Sequence, residues 1–337
     1  MKEIITSFEK TGFERTAPEG SPLPVLILPA QAEQPLPDPS SEIRKRIDEL
    51  LLTKGAVLLR GFKMASVEDF EHFAASFGHP LLQYEYGSTP RTALSPTGVY
   101  TTTEYPAHQH IPLHNEQAYT RAWAMKAWFG CLIAAQEGGE TPIADSRLIY
   151  QRVPEAIRKR FEPGILYVRN YSEEFDVPWQ KVFNTDSKEK VEAFCRQMSI
   201  ECEWKPDGDL RTRQLCQAVE THPVTGEKVW FNQAHLFHIS NQAPEVRETL
   251  EDLLGIENVP RNTYFADGSP IPDEMLDKVR AILDSETIKF PWMFGDVMVL
   301  DNMLAAHART PFKGSRKILV AMAEPYSNLP NFRAEAA

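Results

Sequence analysis

Short apolar runs separated by turn residues, without a regular alternation of strand and helix, constrain the fold of this chain most. A parallel α/β fold needs a helix between successive strands, and the sequence does not show that rhythm. Many short strands with interspersed helices are typical of a distorted jelly roll, so we predict a mainly β protein with α-helices added. The predicted strands cover residues 25–28, 56–60, 122–135, 164–171, 200–204, 210–214, 228–231, 296–300 and 317–323.

Helix signals between these runs place packing elements outside the β core. Ser40 or Ser41 is a suitable N-cap for a helix that Gly55 ends, and Ser66 opens a second helix. Further helices are predicted over residues 147–161, where Pro154 splits or kinks the helix, and over 188–198, 245–254 and 273–283.

No internal repeat and no linker divides the chain, so we predict one domain over residues 1–337. Residues 1–40 are interpreted as an extended lead-in that contains one strand. Residues 84–112 show little periodicity and much Thr, Tyr and Pro, which predicts a long loop that acts as a lid.

Composition narrows the classes of function. The net charge of -11 lacks the basic footprint of a nucleic-acid-binding protein. No apolar run approaches the length of a membrane span, so we expect no membrane partner and a cytoplasmic location. The four cysteines lack CxxC spacing, which favours reduced thiols over a zinc ribbon. The sequence is compatible with a homo-oligomer.

One imidazole and one carboxylate, His114 and Glu116, lie two residues apart, and His307 follows near the C-terminus in an apolar segment. On an extended segment, residues i and i+2 share a face. Two imidazoles and one carboxylate on one face of a metal form the triad that holds non-haem Fe(II). A histidine and a solvated glutamate in a surface loop are the alternative.

Such an iron site leaves positions open for a 2-oxo acid, whose distal carboxylate then needs a fixed cation. Arg316 precedes a very apolar strand, and an inward-pointing arginine there needs a partner. An arginine in an ordinary turn is the alternative.

Several motifs together resemble the TauD/TfdA superfamily of Fe(II)/2-oxoglutarate dioxygenases, most closely the branch of clavaminate synthase and the syringomycin-pathway aspartyl hydroxylase. The resemblance implies a double-stranded β-helix with flanking helices and a lid insertion, and a single catalytic domain. One departure is His-Ala-Arg at 307–309, where His-Gly-Arg is usual. The motifs are His114-Asn115-Glu116, Gly139-Glu140-Thr141-Pro142, Gly295-Asp296-Val297, Asp301-Asn302 and residues 307–316.

The same resemblance implies iron ligands at His114, Glu116 and His307. It implies that Thr141 and Arg316 bind the distal carboxylate of 2-oxoglutarate, with O2 as the other co-substrate. Related halogenases replace the acid of the triad with a small residue, so Glu116 favours hydroxylation over halogenation.

The resemblance predicts hydroxylation of an unactivated C–H bond in an amino acid or an amino-acid-derived intermediate, free or bound to a peptide or a carrier protein. Desaturation and epoxidation remain open. The alternatives are a catabolic dioxygenase of a small sulfonate or aryloxy acid, which needs a basic clamp opposite the iron, and a cupin-like metal-binding protein without turnover.

Other polar residues are candidates for the pocket or its support. We interpret His235 and His238 as structural or pocket-lining, because no acid lies near them. His108 and His110 precede the motif, and His110 is the better candidate for substrate contact. The remaining candidates are Asn115, Arg169, Asn170 and Asn232 for substrate, and Asp301 and Asn302 as supports of the His307 strand.

Overall fold

The computed structural model describes residues 3–21, 23–83, 91–102 and 105–330. Its strands are β1 (Ile4–Thr6), β2 (Val25–Leu28), β3 (Ala56–Leu59), β4 (Val99–Thr101), β5 (Ile111–His114), β6 (Ala122–Ile133), β7 (Glu137–Gly138), β8 (Ile143–Asp145), β9 (Ile165–Tyr171), β10 (Glu201–Trp204), β11 (Leu210–Cys216), β12 (Val219–Thr221), β13 (Lys228–Trp230), β14 (Arg261–Phe265), β15 (Val297–Asp301), β16 (Ala305–Arg309), β17 (Phe312–Lys313) and β18 (Lys317–Ser327). Its helices are α1 (Glu42–Lys54), α2 (Val67–Ala75), α3 (Ser146–Arg152), α4 (Glu155–Phe161), α5 (Trp179–Val182), α6 (Lys188–Gln197), α7 (Ala234–Phe237), α8 (Pro244–Leu254) and α9 (Asp273–Ser285), with 3-10 turns at Phe8–Lys10 and Ile239–Asn241.

Two sheets enclose the main core. The large sheet has the strand order β1-β2-β3-β15-β6-β18-β4, and the small sheet has the order β5-β16-β8. Phe129 on β6 and Val320 on β18 belong to the same buried cluster as Ile143 on β8 and Ala305 on β16. The prediction of a mainly β chain with added helices is therefore confirmed.

The opposite face of the large sheet is covered by α1 and α2. Alternate residues of β6 show this arrangement, because Phe129 lies in the inter-sheet core and Trp128 packs in the cluster with Phe70 and Phe73 of α2. Both faces are buried, so the central strands consist of nearly continuous apolar residues.

Local signals set the ends of α1. The Ser41 side chain accepts a hydrogen bond from the backbone N–H of Arg44 and caps the first turn. Gly55 ends the helix in the left-handed region at a φ of 86°. A side chain there would be strained, and its Cβ would lie 3.1 Å from the Cβ of Leu304.

A second layer lies beyond the small sheet. Strands β10, β11, β9 and β14 form an antiparallel sheet, and α5 and α6 pack on one face of it. The predicted hairpin over residues 200–214 is confirmed as β10 and β11, and Pro154 separates α3 from α4 as predicted.

The predicted loop over residues 84–112 is wrong at 99–101 and 111–112. There β4 pairs with β18, and β5 pairs with β16. Strands of three and four residues carry too little periodicity to be recognised without their partners. Residues 84–90 and 103–104 of the predicted lid lie outside the described residues. The lead-in contains two strands rather than one, because β1 pairs with β2.

Within the described ranges, no helix combines the length and the apolar character that crossing a bilayer requires.

Candidate metal centre

Two histidines face each other across neighbouring strands of the small sheet. His114 ends β5, His307 lies in the middle of β16, and their Cα atoms are register partners. The ring centroids of the two imidazoles are 4.4 Å apart, and the Phe129 ring lies 4.9 Å from that of His307. The β5–β16 register shifts between His307 and Arg309, an irregularity of the kind often found beside functional sites.

Glu116 reaches the histidines from a turn. The prediction of one extended segment from His114 to Glu116 is wrong, because β5 ends at His114. Asn302 holds this turn with three hydrogen bonds. Its Oδ1 accepts from the backbone N–H of Glu116 (2.7 Å), and its Nδ2 donates to the carbonyls of Glu116 (2.9 Å) and Ala124 (2.8 Å).

The ligand atoms of His114, Glu116 and His307 all lie within 4.8 Å of one another. His114 Nδ1 lies 2.9 Å from the Pro112 carbonyl, so Nδ1 carries the proton and Nε2 keeps a free lone pair. His307 Nε2 lies 3.8 Å from Glu116 Oε2, on the inner side of the group.

Burial lowers the pKa of His114, and it lowers the pKa of His307 well below its ordinary value. Burial alone would raise the pKa of Glu116, but Arg91 and the two imidazoles oppose it and bring that pKa to about 2. Two neutral imidazoles and one carboxylate are therefore present at neutral pH, and these donors fit an octahedral divalent iron.

Arg91 is a feature of the site that the sequence reading missed. Its Nη2 lies 2.8 Å from Glu116 Oε2, and both side chains are buried. A sequence signal was available, because Arg91 is the sole charged residue between positions 86 and 103. A lone cation in a polar, uncharged segment indicates a specific partner.

A buried polar network supports the turn around Glu116. Asn115 Nδ2 donates to Ser146 Oγ (3.0 Å) and to the Asn302 carbonyl (2.7 Å), and Gln233 Nε2 donates to the Asn115 carbonyl (2.8 Å).

Asp301 Oδ1 accepts hydrogen bonds from the backbone N–H groups of residues 303 and 304, which start the turn into β16, and its Oδ2 lies 3.0 Å from His222 Nε2. Asp301 thus contacts the start of the turn into the His307 strand, whereas the Asn302 side chain holds the Glu116 turn.

A narrow cavity is lined by the two histidines of the triad and by the predicted 2-oxoglutarate residues Thr141 and Arg316. Arg316 donates from Nε to the Gly139 carbonyl (2.8 Å) and from Nη1 to Thr102 Oγ1 (3.2 Å), and its Nη2 lies 3.4 Å from Thr141 Oγ1. No carboxylate of the described residues lies within ion-pair distance of this guanidinium group.

Burial lowers the pKa of Arg316 to about 10, with the nearby Arg309 as a second cause, so the group stays charged at neutral pH. Trp292 Nε1 donates to Thr141 Oγ1 (3.1 Å), which leaves the hydroxyl proton of Thr141 for another acceptor. A buried cation beside an available hydroxyl donor forms a site for a carboxylate. The sequence reading missed Trp292, which carries no motif of its own.

A larger cavity of about 590 Å³ lies beside the triad and is lined by Glu116, His114 and Arg91. Aromatic and aliphatic side chains form much of its wall, including Tyr119, Phe237, Leu236, Val246 and Leu250. The triad residue His114 and Arg91 line both cavities, so the candidate metal centre lies between them.

The predicted substrate residues divide into two groups. His110 is exposed and lines the larger cavity. Asn115, Asn170 and Asn232 are buried and do not line it. Asn170 Nδ2 donates to the carbonyls of residues 257 and 259, and Asn232 Nδ2 donates to the Ala218 carbonyl. These amides hold the scaffold together, and sequence alone does not distinguish such amides from ligand-binding ones.

Arg169, the remaining predicted substrate residue, neither lines the larger cavity nor donates to scaffold carbonyls in the way the three amides do. It is buried, its Nε is 3.1 Å from Asp176 Oδ2, and it lines a separate cavity. His235 and His238 lie on and after α7 and are not members of the triad's donor group, and burial lowers their pKa values to about 3 and about 4. His235 Nε2 contacts the Leu113 carbonyl, and His238 caps the following turn. His108 is exposed.

The family model described as "Taurine catabolism dioxygenase TauD, TfdA family" matches residues 19–322. The chain belongs to this family. The TauD/TfdA placement confirms the predicted dioxygenase class, and iron and 2-oxoglutarate, the predicted cofactor and co-substrate, are those of the family.

Relatives agree with the TauD/TfdA assignment. The chain is 42% identical over 280 residues to the dapdiamide synthesis protein DdaC of Enterobacter agglomerans. The aligned region covers 83% of this chain and 85% of that protein. It is 33% identical over 324 residues to a clavaminate synthase-like protein of Arabidopsis thaliana, covering 90% of this chain and 94% of that protein.

A solved structure supports the fold. A putative alpha-ketoglutarate-dependent taurine dioxygenase from Burkholderia xenovorans superposes with a TM-score of 0.56 at 15% identity, covering 97% of this chain and 95% of that chain. This similarity confirms the predicted jelly-roll architecture of the TauD/TfdA chain.

Proposed function

We propose that the protein hydroxylates a C–H bond of an amino acid or an amino-acid-derived intermediate, with Fe(II) held by His114, Glu116 and His307. The observation that carries the proposal is the position of this triad between two cavities of different character. One cavity contains a buried cation without a described carboxylate partner, and the other is large and has aromatic and aliphatic side chains beside polar ones in its wall.

The narrow cavity suits 2-oxoglutarate. Its distal carboxylate would receive two charge-assisted hydrogen bonds from Arg316 and one hydrogen bond from the Thr141 hydroxyl. The carbonyl of Gly139 already holds Arg316 Nε, so the guanidinium plane is fixed before the ligand arrives. A pre-oriented clamp loses less entropy on binding than a mobile one.

Bound iron would supply the oxidising chemistry, with the balance R–H + O2 + 2-oxoglutarate → R–OH + succinate + CO2. The protein's own residues supply the rest. Asn302 fixes Glu116, and the Pro112 carbonyl fixes the His114 ring. Arg91 keeps Glu116 ionised, and the aromatic and aliphatic residues of the larger cavity would contact the apolar part of a substrate.

An amino-acid-derived substrate is supported by the relative that acts in dapdiamide synthesis. The sulfonate or aryloxy-acid alternative needs a basic clamp in the larger cavity. The two arginines that line this cavity, Arg91 and Arg261, are bonded to Glu116 and Asp176, which lowers support for that alternative. A cupin-like protein without turnover does not agree with membership of a dioxygenase family.

Anaerobic titration of Fe(II) and 2-oxoglutarate into metal-free protein tests the proposed site. We expect the visible charge-transfer band of the iron–2-oxoglutarate chelate in the wild type. His307→Ala should abolish the band, and Arg316→Gln should require about a hundredfold more 2-oxoglutarate, because it loses a buried bidentate ion pair.

Arg213→Gln is the matched control, because Arg213 is a partly exposed arginine of β11 that pairs with Glu203. Its titration should equal that of the wild type. A folded, iron-loaded wild type without the band, or an Arg316→Gln variant with unchanged 2-oxoglutarate affinity, would refute the assignment.

Succinate release then identifies the substrate. Free amino acids, short peptides and carrier-bound aminoacyl thioesters are compared for substrate-dependent succinate. Mass spectrometry of the product separates the outcomes, since hydroxylation or epoxidation adds one oxygen and desaturation removes two hydrogens. Coupled turnover of a small sulfonate in preference to every amino-acid derivative would overturn the proposed substrate class.

A further inference from the structure

A third cavity of about 250 Å³ lies on one face of the β10-β11-β9-β14 sheet. Residues of β9 and β11 form its floor, and α5, α6 and the residues after them form its roof. The lining is mainly aromatic and aliphatic, including Tyr167, Tyr171, Val182, Phe183, Phe194, Met198 and Ile200. Tyr119 and Phe237 line both this cavity and the larger cavity beside the triad.

Among the described side chains that line this cavity, Arg169 is the one that carries a charge. It is 9% exposed, and its Cζ lies 4.5 Å from the centre of the Tyr171 ring. A guanidinium group in such a wall has left water, and that transfer is costly unless an anion compensates it.

The only carboxylate bonded to Arg169 in the described part of the chain is Asp176, and it is shared. Arg261 lies opposite Arg169 in the β14–β9 register and binds both oxygens of Asp176, at 2.8 Å and 3.0 Å. Arg169 contributes one hydrogen bond, from Nε to Oδ2 at 3.1 Å. Its Nη2 is buried and has no hydrogen-bond partner among the described residues.

Three neutral polar side chains of the cavity wall each make a hydrogen bond or polar contact with the scaffold. Gln214 Nε2 donates to the Met198 carbonyl (2.8 Å), Thr212 Oγ1 contacts the Tyr171 hydroxyl (3.4 Å), and Gln117 Oε1 accepts from the backbone N–H of Ala124 (3.1 Å). Arg169 supplies the charge on this wall, and its unpartnered Nη2 is a donor for a second carboxylate.

We propose that this cavity is a binding subsite for a carboxylate carried on an apolar or aromatic body, with Arg169 as the anion ligand. Since the cavity shares Tyr119 and Phe237 with the cavity beside the triad, we assign the bound group to the part of the substrate that is remote from the oxidised carbon. That last assignment rests on the proposed function, whereas the existence of the subsite does not.

Hippurate, an aromatic acyl group joined to a carboxylate, is a suitable probe, and its binding to metal-free full-length protein is measured by calorimetry. We expect saturable one-to-one binding to the wild type. Arg169→Gln should weaken it at least tenfold, Arg169→Lys should give an intermediate affinity, and the neutral hippuramide should bind at least tenfold more weakly than hippurate.

Two further variants locate the bound probe. Val182→Phe fills the cavity without removing the arginine and should abolish hippurate binding. Arg213→Gln, on the adjacent strand β11 but outside the cavity lining, should leave binding unchanged. Thermal unfolding of each variant verifies that it is folded.

Absence of saturable binding to the wild type would overturn the proposal, and so would unchanged affinity in folded Arg169→Gln. Loss of hippurate binding in Arg316→Gln would overturn it as well, because the probe would then occupy the 2-oxoglutarate site. Titration of Fe(II) and 2-oxoglutarate into the same preparations keeps the two proposals separate. A protein that forms the iron chelate and does not bind hippurate refutes the subsite alone.

Discussion

Replacing Asn302 by alanine tests how the candidate metal centre is held. The Asn302 side chain is fully buried and makes three hydrogen bonds of 2.7–2.9 Å to backbone groups of residues 116 and 124. Asn302→Ala leaves those three backbone groups without partners. At about 1–1.5 kcal/mol for each, the free energy of unfolding should fall by about 3–4.5 kcal/mol.

The same variant should bind Fe(II) about 10–100-fold more weakly, since Glu116 loses the contacts that orient it. Urea denaturation of metal-free protein measures the first effect, and metal titration measures the second. Asn258→Ala is the control, because Asn258 is exposed and water can replace its hydrogen bonds, so about 1 kcal/mol or less is expected. The reasoning fails if the two alanine variants unfold at the same urea concentration or if Asn302→Ala binds iron like the wild type.

Three further perturbations have defined outcomes. Arg60→Met breaks the fully buried pair with Asp296 and should lower the free energy of unfolding by about 3–5 kcal/mol in urea denaturation. Gly139→Ala places a Cβ 3.1 Å from Cδ of Arg316 at a φ of 72°, so the chelate titration should show about tenfold weaker 2-oxoglutarate binding. Burial lowers the pKa of His238 to about 4, below its value in the unfolded chain. The unfolded chain therefore takes up the proton first, and stability falls as the pH drops from about 6.5 to about 4. His238→Asn should make this slope shallower by up to about 1.4 kcal/mol per pH unit.

Each of these variants has a control. Arg46→Met removes a pair exposed to water and should change stability by less than about 1 kcal/mol. Gly208→Ala introduces the same kind of backbone strain, at a φ of 95°, where no atom lies within 4 Å, and should not change 2-oxoglutarate affinity. For His238→Asn the control is the same variant above about pH 8, where the imidazole is neutral in both the folded and the unfolded chain and the substitution should not change the pH slope. A control that matches its test variant would contradict the corresponding explanation.

Features set by neighbouring residues could be predicted from the sequence. The ends of α1 follow from a hydroxyl cap at Ser41 and a glycine at position 55, and both signals lie within the segment they control. The strands β2, β3, β6, β15 and β18 of the large sheet were also recognisable, because burial of both faces makes the central strands apolar throughout. The triad could be proposed because two of its members are close in sequence and because the motif around His307 resembles a family.

Features set by distant partners could not be predicted in the same way. The short strand β4 exists because β18 offers it an edge, and its own three residues do not show this. Asn115 and Asn232 have the same chemistry as ligand-binding amides, and only the carbonyl groups that surround them in the fold show that they are structural. Arg169 has a partner, Asp176, in the loop that follows β9. A second arginine, Arg261 on β14, also donates to that carboxylate, and the sequence does not show that β14 lies beside β9.

The hydrogen bonds of Asn302 join parts of the chain that are synthesised far apart in time. His114 and His307 are separated by 193 residues (307 − 114), and the turn that carries Glu116 is fixed only when Asn302 has been made. A nascent chain that has not yet reached residue 302 therefore lacks both the support of Glu116 and the second imidazole. Iron loading through the proposed triad would then be a late event in biogenesis, and the metal would not guide the folding of the N-terminal half on the ribosome.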